Sequence, residues 1–289
     1  MGIDFHVLAF LNGIERKDFG DTLTIGRQNI HLQKSELAHL KRLGIVNDFS
    51  KLEDVLYVDP YLKDEFGASM VDSLDISNYE GASIEHDLNI KVRSSLLDRF
   101  DTIIDAGSLE HVFDIKQALE NLVDMCRIGG RIIHVSPSDN FSGHGFWQIS
   151  PELFFSLYCE ENGFYLEEVI VASLCDRKKH YQVLKPSSGH RITLFSHSPF
   201  YVMAVARKIA KVEHLKVVQS DYKYVWSLQE SNLFIKDVVK RSGVTSRSFM
   251  EFLRRFRILV SPSRSFELLN RGNEYILPFN IGDTRLRRT

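Results

Sequence analysis

The sequence predicts an α/β fold in which helices cover both faces of a doubly wound sheet. Short strand-like and longer helix-like segments alternate along the first two thirds of the chain, as expected when helices connect parallel strands. Several of the strand-like segments end in glycine or in an acidic residue. With 289 residues, 44% of them hydrophobic, the chain is long enough for one large α/β domain and an appendage.

Seven segments are predicted as strands because they are short, apolar and mostly rich in β-branched or aromatic residues. The first ends in Gly26, the second ends at Asp75 and the third ends at Asp87. In order along the chain, the seven predicted strands are 22–26, 70–74, 82–86, 100–105, 131–135, 164–172 and 200–206.

Helices are predicted where apolar residues recur every three or four positions. Leu37, Leu40 and Leu43 follow this spacing, and Gly44 closes the segment. A helix near 49–56, followed by an extended stretch at 57–62, is interpreted as an insertion spanning roughly 45–66. Further helices are predicted at 115–125, 151–162 and 249–259.

The charge is divided unevenly between two parts of the chain. The formal net charge is −2, yet residues 1–204 carry 19 basic and 30 acidic side chains, whereas residues 205–289 carry 17 basic and 8 acidic ones. We therefore predict a cofactor-binding domain over 1–206 and a basic, mainly helical extension over 207–289. Docking of the extension onto the acidic domain, or homo-oligomerisation through it, is favoured because its aromatic residues follow helical spacing. Recognition of a phosphorylated or nucleotide-linked acceptor is the next alternative, ahead of polynucleotide binding.

Several classes of protein are excluded or disfavoured. The longest apolar runs are about a third of the roughly 20 residues that a membrane-spanning helix needs, and the first residues lack a basic signal-peptide region. The three cysteines have no CxxC spacing, which favours free thiols in a cytoplasmic protein. The stretch that contains His180, His190 and His197 is predicted as a loop, and no pair of these histidines has helical or zinc-finger ligand spacing, so we expect no metal site.

The centre of the chain carries a family resemblance. Leu109-Glu110-His111-Val112, then Asp114, a helix and Gly129-Gly130 before the next strand resemble the corresponding segment of the class I S-adenosylmethionine-dependent methyltransferases. The continuation at 142–153 resembles a subgroup often found with bacterial surface-polysaccharide biosynthesis. The resemblance covers about residues 20–206 and implies a Rossmann-like sheet of seven strands, mostly parallel, with the last strand antiparallel.

The resemblance also implies a cofactor site for S-adenosylmethionine. Gly26 would lie where the methionine and ribose approach the backbone, Asp75 would hold the ribose hydroxyls, and Asp87 would lie beside the adenine. The turn after the fourth strand would line the methionine end of the cofactor through Asp105, Gly107 and Ser108.

The sequence departs from the family in the glycine-rich loop. Only Gly26 is present, followed by Arg27 and Gln28, and no acidic residue stands two positions before it. Side chains at these positions could narrow the floor of the cofactor site. Asp75 follows Gly26 by 49 residues, whereas about 20 are usual in a compact dinucleotide-binding unit.

Two histidines are candidates for the base that deprotonates an acceptor hydroxyl, because imidazole titrates near neutral pH. His144 lies between two glycines after the fifth predicted strand, and His111 follows the fourth. Glu110 and Trp147 are candidates for binding the acceptor. Packing, capping or turn roles remain open alternatives for all four residues.

The predicted function is methyl transfer to an oxygen of a small-molecule, glycan or nucleotide-sugar acceptor by a cytoplasmic enzyme of polysaccharide biosynthesis. A catalytically inactive binding module with the same fold is the main alternative. An NAD-dependent enzyme is a weaker one, because the G-x-G-x-x-G turn that places a pyrophosphate at a helix N-terminus is missing.

Overall fold

The computed structural model describes residues 2–15, 17–46, 52, 55–187, 190–230, 270 and 273–281. Within these residues the chain forms a single sheet of nine strands in the order β3-β2-β1-β4-β5-β8-β6-β7-β9. The strands are β1 (Gly20–Ile25), β2 (Ala68–Asp75), β3 (Ile84–Glu85), β4 (Phe100–Ala106), β5 (Cys126–Asp139), β6 (Phe164–Ser173), β7 (Lys179–Val183), β8 (Phe200–Lys208) and β9 (Ile276–Asn280).

The strand directions divide the sheet into two halves. The pairs within β3-β2-β1-β4-β5 are all parallel, whereas β5 with β8, β8 with β6, β6 with β7 and β7 with β9 are antiparallel. The expectation of a mostly parallel sheet therefore holds for one half of the described sheet only. The predicted antiparallel last strand is β8, and it is inserted between β5 and β6.

Six helices accompany the described strands. The helix predicted at 115–125 is present with those bounds, and the one predicted at 151–162 is an α-helix followed by a short 3-10 turn, Glu160–Asn162. The helices are α1 (Phe5–Gly13), α2 (Lys34–Arg42), α3 (Asp59–Phe66), α4 (Ile115–Met125), α5 (Pro151–Leu157) and α6 (Ser220–Glu230). None of the helices in the described part of the chain has both the length and the apolar character needed to cross a bilayer.

Three expectations about individual elements need correction. The stretch 57–62 was expected to be extended, but it contains the start of α3, where Pro60 stands in the first turn and Gly67 ends the helix with a φ of 64°. Proline is favoured in a first turn because its missing N–H has no helical partner there. The loop expected around His180 is the strand β7, and α1 was not anticipated at all.

The helix α1 begins at a well-formed cap. The carboxylate of Asp4 accepts hydrogen bonds from the backbone N–H groups of His6 and Val7, at 2.9 and 3.0 Å. Seven successive residues of this helix, Phe5 to Leu11, are buried. A helix that is apolar on nearly all sides lacks the one-sided pattern by which surface helices are recognised, which explains why the periodicity did not reveal it.

Two apolar layers pack against the two faces of the sheet. One contains residues of α4 and α5, including Leu122 and Phe154, and the other contains residues of α1, α2 and α3, including Phe10 and Leu62. Residues of one strand alternate between the layers: Ile132 packs in the first and Ile133 in the second. This alternation is the period-two pattern of a strand that is buried on both faces.

The C-terminal part of the chain is only partly described. The predicted amphipathic helix at 249–259 lies outside the described residues, and so does most of the predicted helix at 49–56. Of the predicted extension, α6 is helical, but β9 pairs with β7 in the main sheet. The proposed division of the chain at 206 stays a prediction.

Candidate functional site

A cleft of about 420 Å³ lies at the carboxyl ends of β1, β2 and β4. The chain runs outward from β1 to β2 and β3 and then returns to β4 on the other side of β1. Such a reversal of strand order leaves a crevice at the carboxyl ends of the strands, which is where open α/β sheets bind ligands. The cleft is lined by Ile25, Gly26, Arg27, Gln28, Leu74, Asp75, Ile76, Glu80, His86, Asp87, Leu88, Asn89, Gly107, Ser108, His111 and Val112.

The structure brings six of the predicted site residues together in this cleft. They come from four separate segments of the chain, and the parallel register aligns those segments: Ile25 lies opposite both Leu74 and Asp105 in the neighbouring strands. The predicted residues in the lining are Gly26, Asp75, Asp87, Gly107, Ser108 and His111.

The turn after β1 is tied to the turn after β4. The carbonyl oxygen of Ile25 accepts hydrogen bonds from Ser108 Oγ and Gln28 Nε2, both at 2.6 Å. Gly26 has a φ of 66°, and a Cβ at this position would lie 2.9 Å from Ser108 Oγ. Glycine is therefore required here both by the backbone conformation and by the close approach of the two turns.

The two side chains that depart from the glycine-rich pattern are held by the protein itself. The Arg27 guanidinium donates to the carboxylate of Asp59 at 3.2 Å and to the carbonyl of Glu80 at 3.0 Å. It also lies over the ring of Tyr57, 3.8 Å from the centroid. Gln28 is folded back onto Ile25. Both residues still contribute to the lining, but their polar ends are anchored to neighbouring protein groups.

Asp75 and Asp87 present carboxylates to the cleft from neighbouring segments. One carboxylate oxygen of Asp75 accepts from the N–H of Ile76 at 2.6 Å, and the other lies 3.9 Å from the position of a Cβ on Gly26. Asp87 accepts from the backbone N–H and the side-chain amide of Asn89 at 2.9 and 2.7 Å. These bonds to Asn89 lower the pKa of Asp87, so its carboxylate is ionised at neutral pH.

Asp105 was predicted to bind the cofactor, but its side chain lies beneath the cleft. It is fully buried, and one oxygen accepts from the N–H groups of Ser108 and Leu109 at 3.1 and 3.2 Å. The other lies 3.0 Å from Nδ1 of His134, whose Nε2 is 2.6 Å from the hydroxyl of Tyr158. Every oxygen of Asp105 is thus engaged by protein, and its role is to position the Gly107-Ser108 turn.

Three of the residues proposed for acceptor chemistry form a cluster at the edge of the cleft. Glu110 lies 3.4 Å from His144 and 3.8 Å from His111, measured from its Oε1 to each Nε2, and the two imidazole centroids are 5.0 Å apart. Glu110 is fully buried, whereas the two histidine side chains are 37% and 50% exposed. The structure thus brings together residues that are distant in the sequence.

The surroundings of this cluster favour the uncharged forms of its three side chains. Burial, and then the nearby charge of Asp105, raises the pKa of Glu110 to about 8. Burial lowers the pKa of His144, and burial followed by repulsion from His144 lowers that of His111. A raised carboxyl pKa next to lowered imidazole pKa values is the pattern of groups withdrawn from water, and such groups concentrate at functional sites.

Exposed aromatic side chains, here called the aromatic mouth, lie beside the His111–Val112 end of the cleft. Trp147 donates from its indole nitrogen to the carbonyl of Val112 at 2.9 Å, and 37% of the residue is exposed. Phe146 and Phe113 are 66% and 73% exposed and meet edge to face, with centroids 6.0 Å apart. Exposed aromatic rings next to a polar cleft provide an apolar surface against which an acceptor molecule could pack.

Some residues of the site were missed from the sequence. His86 lines the cleft and bonds to the carbonyl of Ile90 at 3.1 Å, and His134 supports the floor from β5. His134 alternates with apolar residues on a strand that is buried on both faces. A histidine inside such a strand needs buried hydrogen-bond partners. The position of His134 among buried apolar residues could therefore have indicated its role from the sequence.

Comparison with known proteins gives matches in structure only. No family model and no curated protein sequence matches the chain. A SAM-dependent methyltransferase from Aquifex aeolicus is 13% identical, with 68% of this chain and 86% of that chain covered and a TM-score of 0.33. The YcgJ protein from Bacillus subtilis is 11% identical over 72% and 99% of the two chains, with a TM-score of 0.40.

The N-methyltransferase NodS from Bradyrhizobium japonicum, which was solved with S-adenosylhomocysteine, is 13% identical over 71% of this chain and 84% of that chain, with a TM-score of 0.37. At these sequence identities and TM-scores the likeness does not indicate what this chain binds.

Proposed function

We propose that this protein is an S-adenosylmethionine-dependent methyltransferase that methylates an oxygen of a small or sugar-containing acceptor. The main support for the proposal is that Gly26, Asp75 and Asp87 line the same cleft, where the strand order reverses. The resemblance implied these same three residues for the cofactor, and they are separated by up to 61 positions in the sequence.

The shape and polarity of the cleft fit a nucleoside linked to an amino acid. A volume of about 420 Å³ lies within the usual range of small-molecule and cofactor pockets, roughly 300–1,000 Å³. Asp75 is suited to accept hydrogen bonds from the two ribose hydroxyls, because its carboxylate is part of the lining and faces the Gly26 turn. The absence of a side chain at Gly26 leaves the backbone accessible to the ligand at the point where β1 ends.

The remaining lining residues can be assigned to the two ends of the cofactor. Asp87 and Leu88 lie on the β3 side, where the carboxylate and the apolar side chain would flank the adenine. Gly107 and Ser108 lie on the β4 side and would line the methionine end. Their turn is fixed by Asp105, so the backbone groups of the turn are held in place before the ligand binds.

The bound sulfonium supplies an electrophilic methyl group, and the protein has to align it with the acceptor oxygen. His111 borders the methionine end of the cleft, and His144 and Glu110 lie directly behind it. An acceptor hydroxyl that enters past the aromatic mouth would meet His111 first, since both carboxylate oxygens of Glu110 and Nε2 of His144 are buried. His144 and His111 remain the proposed bases, because their partly exposed rings can exchange a proton with solvent.

The proposal of a glycan or nucleotide-sugar acceptor, in cytoplasmic polysaccharide biosynthesis, comes from the resemblance of 142–153. Its structural support is the exposed aromatic mouth formed by Phe113, Phe146 and Trp147. Aromatic faces of this kind commonly pack against the apolar faces of sugars and bases.

Binding of S-adenosylhomocysteine tests the cofactor site. We expect the purified full chain to bind it in calorimetry and to gain thermal stability, by about 2.7 kcal/mol at a hundred times the Kd. Asp75→Asn should weaken binding roughly 10- to 100-fold, because charge-assisted hydrogen bonds contribute about 1.5–3 kcal/mol. Glu85→Gln is the matched control, since Glu85 is an exposed acid opposite Asp75 in β3 and is not part of the lining.

Two results would overturn the cofactor assignment. One is the absence of any thermal shift at millimolar S-adenosylhomocysteine, which would favour a non-catalytic binding module. The other is a larger shift with NAD than with S-adenosylhomocysteine, which would favour the dehydrogenase alternative. Equal affinity of the wild type and Asp75→Asn for S-adenosylhomocysteine would show that Asp75 does not contribute to cofactor binding.

A further inference from the structure

The cluster of Glu110, His111 and His144 has the composition and spacing of a metal site. One donor atom from each of the three side chains lies within 4.8 Å of the other two. Two imidazole nitrogens and one carboxylate form a donor set that suits divalent first-row transition metals. Local ligand spacing could not indicate this site, because His144 comes from a loop 33 residues beyond His111.

Several polar atoms of this cluster are buried and have no hydrogen-bond partner among the described residues. Both carboxylate oxygens of Glu110 and Nε2 of His144 are buried and make no hydrogen bond, although Glu110 Oε1 and His144 Nε2 are only 3.4 Å apart. Asp105, five residues earlier, has both of its oxygens engaged. An unpartnered buried carboxyl group carries a desolvation penalty. A bound cation would satisfy these atoms together.

The two segments that carry the cluster are fastened to each other. The carbonyl oxygen of Glu110 accepts from the N–H groups of Phe146 and Trp147 at 2.7 and 3.2 Å. A Cβ at Gly145 would lie 2.8 Å from Cγ of Glu110, so only glycine allows the loop to pass this closely. The backbone positions of Glu110, His111 and His144 are therefore fixed relative to one another, as a metal site requires.

We propose that Glu110, His111 and His144 bind one divalent transition-metal ion. Zinc–nitrogen and zinc–oxygen distances are about 2.0–2.2 Å, so the donor atoms have to move closer together. The two imidazoles are partly exposed, so side-chain rotation can bring their nitrogens towards the buried carboxylate. Three protein ligands leave at least one coordination position open, which is the arrangement of catalytic rather than structural metal sites.

The open position would face the acceptor side of the cleft. His111 lines the cleft beside Gly107 and Ser108, and the aromatic mouth lies on the same side of the cluster. With the ion bound, the two imidazoles would be ligands rather than bases, and the ion would instead bind a hydroxyl oxygen of the acceptor, lower its pKa and orient it towards the methionine end of the cofactor. This role rests on the proposed function, whereas the metal site itself does not.

Metal binding can be measured directly on the full chain after dialysis against a chelator. We expect calorimetric titration with Zn²⁺ to show one ion per chain, and Co²⁺ to give visible absorption that reports nitrogen and oxygen ligation. His111→Ala and His144→Ala should each weaken Zn²⁺ binding by more than about a hundredfold, because loss of an outer-shell partner alone costs 10- to 100-fold. Glu110→Gln keeps the size of the side chain and should have the same effect.

His214→Ala is the matched control, since His214 is an exposed histidine outside the cluster and its loss should leave Zn²⁺ binding unchanged. Wild-type protein that binds no stoichiometric Zn²⁺ would overturn the proposal, and so would equal Zn²⁺ affinity in the wild type, His111→Ala and His144→Ala. Circular dichroism of each variant verifies that it is folded.

S-adenosylhomocysteine binding to the metal-free protein separates the two proposals. Retained Zn²⁺ binding without S-adenosylhomocysteine binding would sink the proposed function and leave the metal site standing. Retained S-adenosylhomocysteine binding without Zn²⁺ binding would do the reverse.

Discussion

Nδ1 of His134 lies 3.0 Å from Oδ2 of Asp105, and both side chains are completely buried beneath the cleft. The hydroxyl of Tyr158 completes the chain at 2.6 Å from Nε2 of the same histidine. Asp105 uses its other oxygen to accept from the N–H groups of Ser108 and Leu109. The floor of the cleft is therefore a fully bonded polar network, and its purpose in the fold is to fix the turn that follows β4.

Removal of the Asp105 carboxylate should disrupt both the fold and the cleft. We expect Asp105→Ala to lower the free energy of unfolding by about 3 kcal/mol, because two buried N–H groups and one imidazole nitrogen lose their partner. Asp105→Asn should lose less, since the amide keeps an acceptor for the backbone and the histidine can adopt its other tautomer. Urea unfolding measures the stability, and equal stability of the two variants would contradict the network.

The hydroxyl of Tyr158 should contribute measurable stability. Burial raises the pKa of this phenol well above its ordinary value, so it remains a hydrogen-bond donor at every relevant pH. Tyr158→Phe leaves Nε2 of His134 buried without a donor and should cost about 1–3 kcal/mol in urea unfolding. Tyr165→Phe, at a position 57% exposed on β6, is the control and should change the stability by less than about 0.5 kcal/mol.

Gly26 and Gly44 offer a matched pair for testing the turn after β1. Their φ angles are 66° and 69°, but a Cβ on Gly44 would meet no atom within 4 Å, whereas one on Gly26 would lie 2.9 Å from Ser108 Oγ. Both glycine-to-alanine variants should lose about 1–2 kcal/mol of stability through the left-handed backbone. Only Gly26→Ala should also lose affinity for S-adenosylhomocysteine in calorimetry, and a similar loss in Gly44→Ala would show that backbone strain alone is responsible.

The strands around the cleft could be predicted from the sequence because their signals are local. Six of the seven predicted strands, which include those that end next to Gly26 and Asp75, match observed strands to within two residues at each end. The exception is β5, which extends over 14 residues, and β3 is reduced to two. Pairing with neighbouring strands sets these lengths, and single-sequence patterns do not contain that information.

Interactions between distant segments account for what the sequence did not reveal. The strands β7 and β9 pair with each other although their residues are nearly a hundred positions apart, and neither segment is apolar enough to be recognised alone. The Asp105–His134–Tyr158 chain and the Glu110–His111–His144 cluster likewise join residues from different elements. Asp105 was predicted as a ligand contact because its position at a strand end was visible, while its buried partners were not.

The pH dependence of stability should include a contribution from Asp98. Its carboxylate bonds to Lys211 at 2.9 Å and to Lys208 at 3.1 Å, and these contacts, the one with Lys211 first, lower the pKa of Asp98 below 3.8. A lowered pKa in the folded state adds stability that is complete above the unfolded pKa and is lost as the pH falls through the folded value. The stabilisation should therefore be present at pH 7 and disappear below about pH 4.

Asp98→Asn isolates this contribution. Asp98 has a φ of 49°, a conformation that asparagine tolerates as well as aspartate does, so the substitution removes the charge without straining the turn. We expect the variant to be less stable than the wild type in urea at pH 7 and the difference to be smaller at pH 3. Lys208 also donates to the carbonyls of Val123 and Cys126 at 2.8 and 2.7 Å, so these bonds remain in the variant. A stability difference that is the same at both pH values would show that the ion pairs of Asp98 do not stabilise the fold.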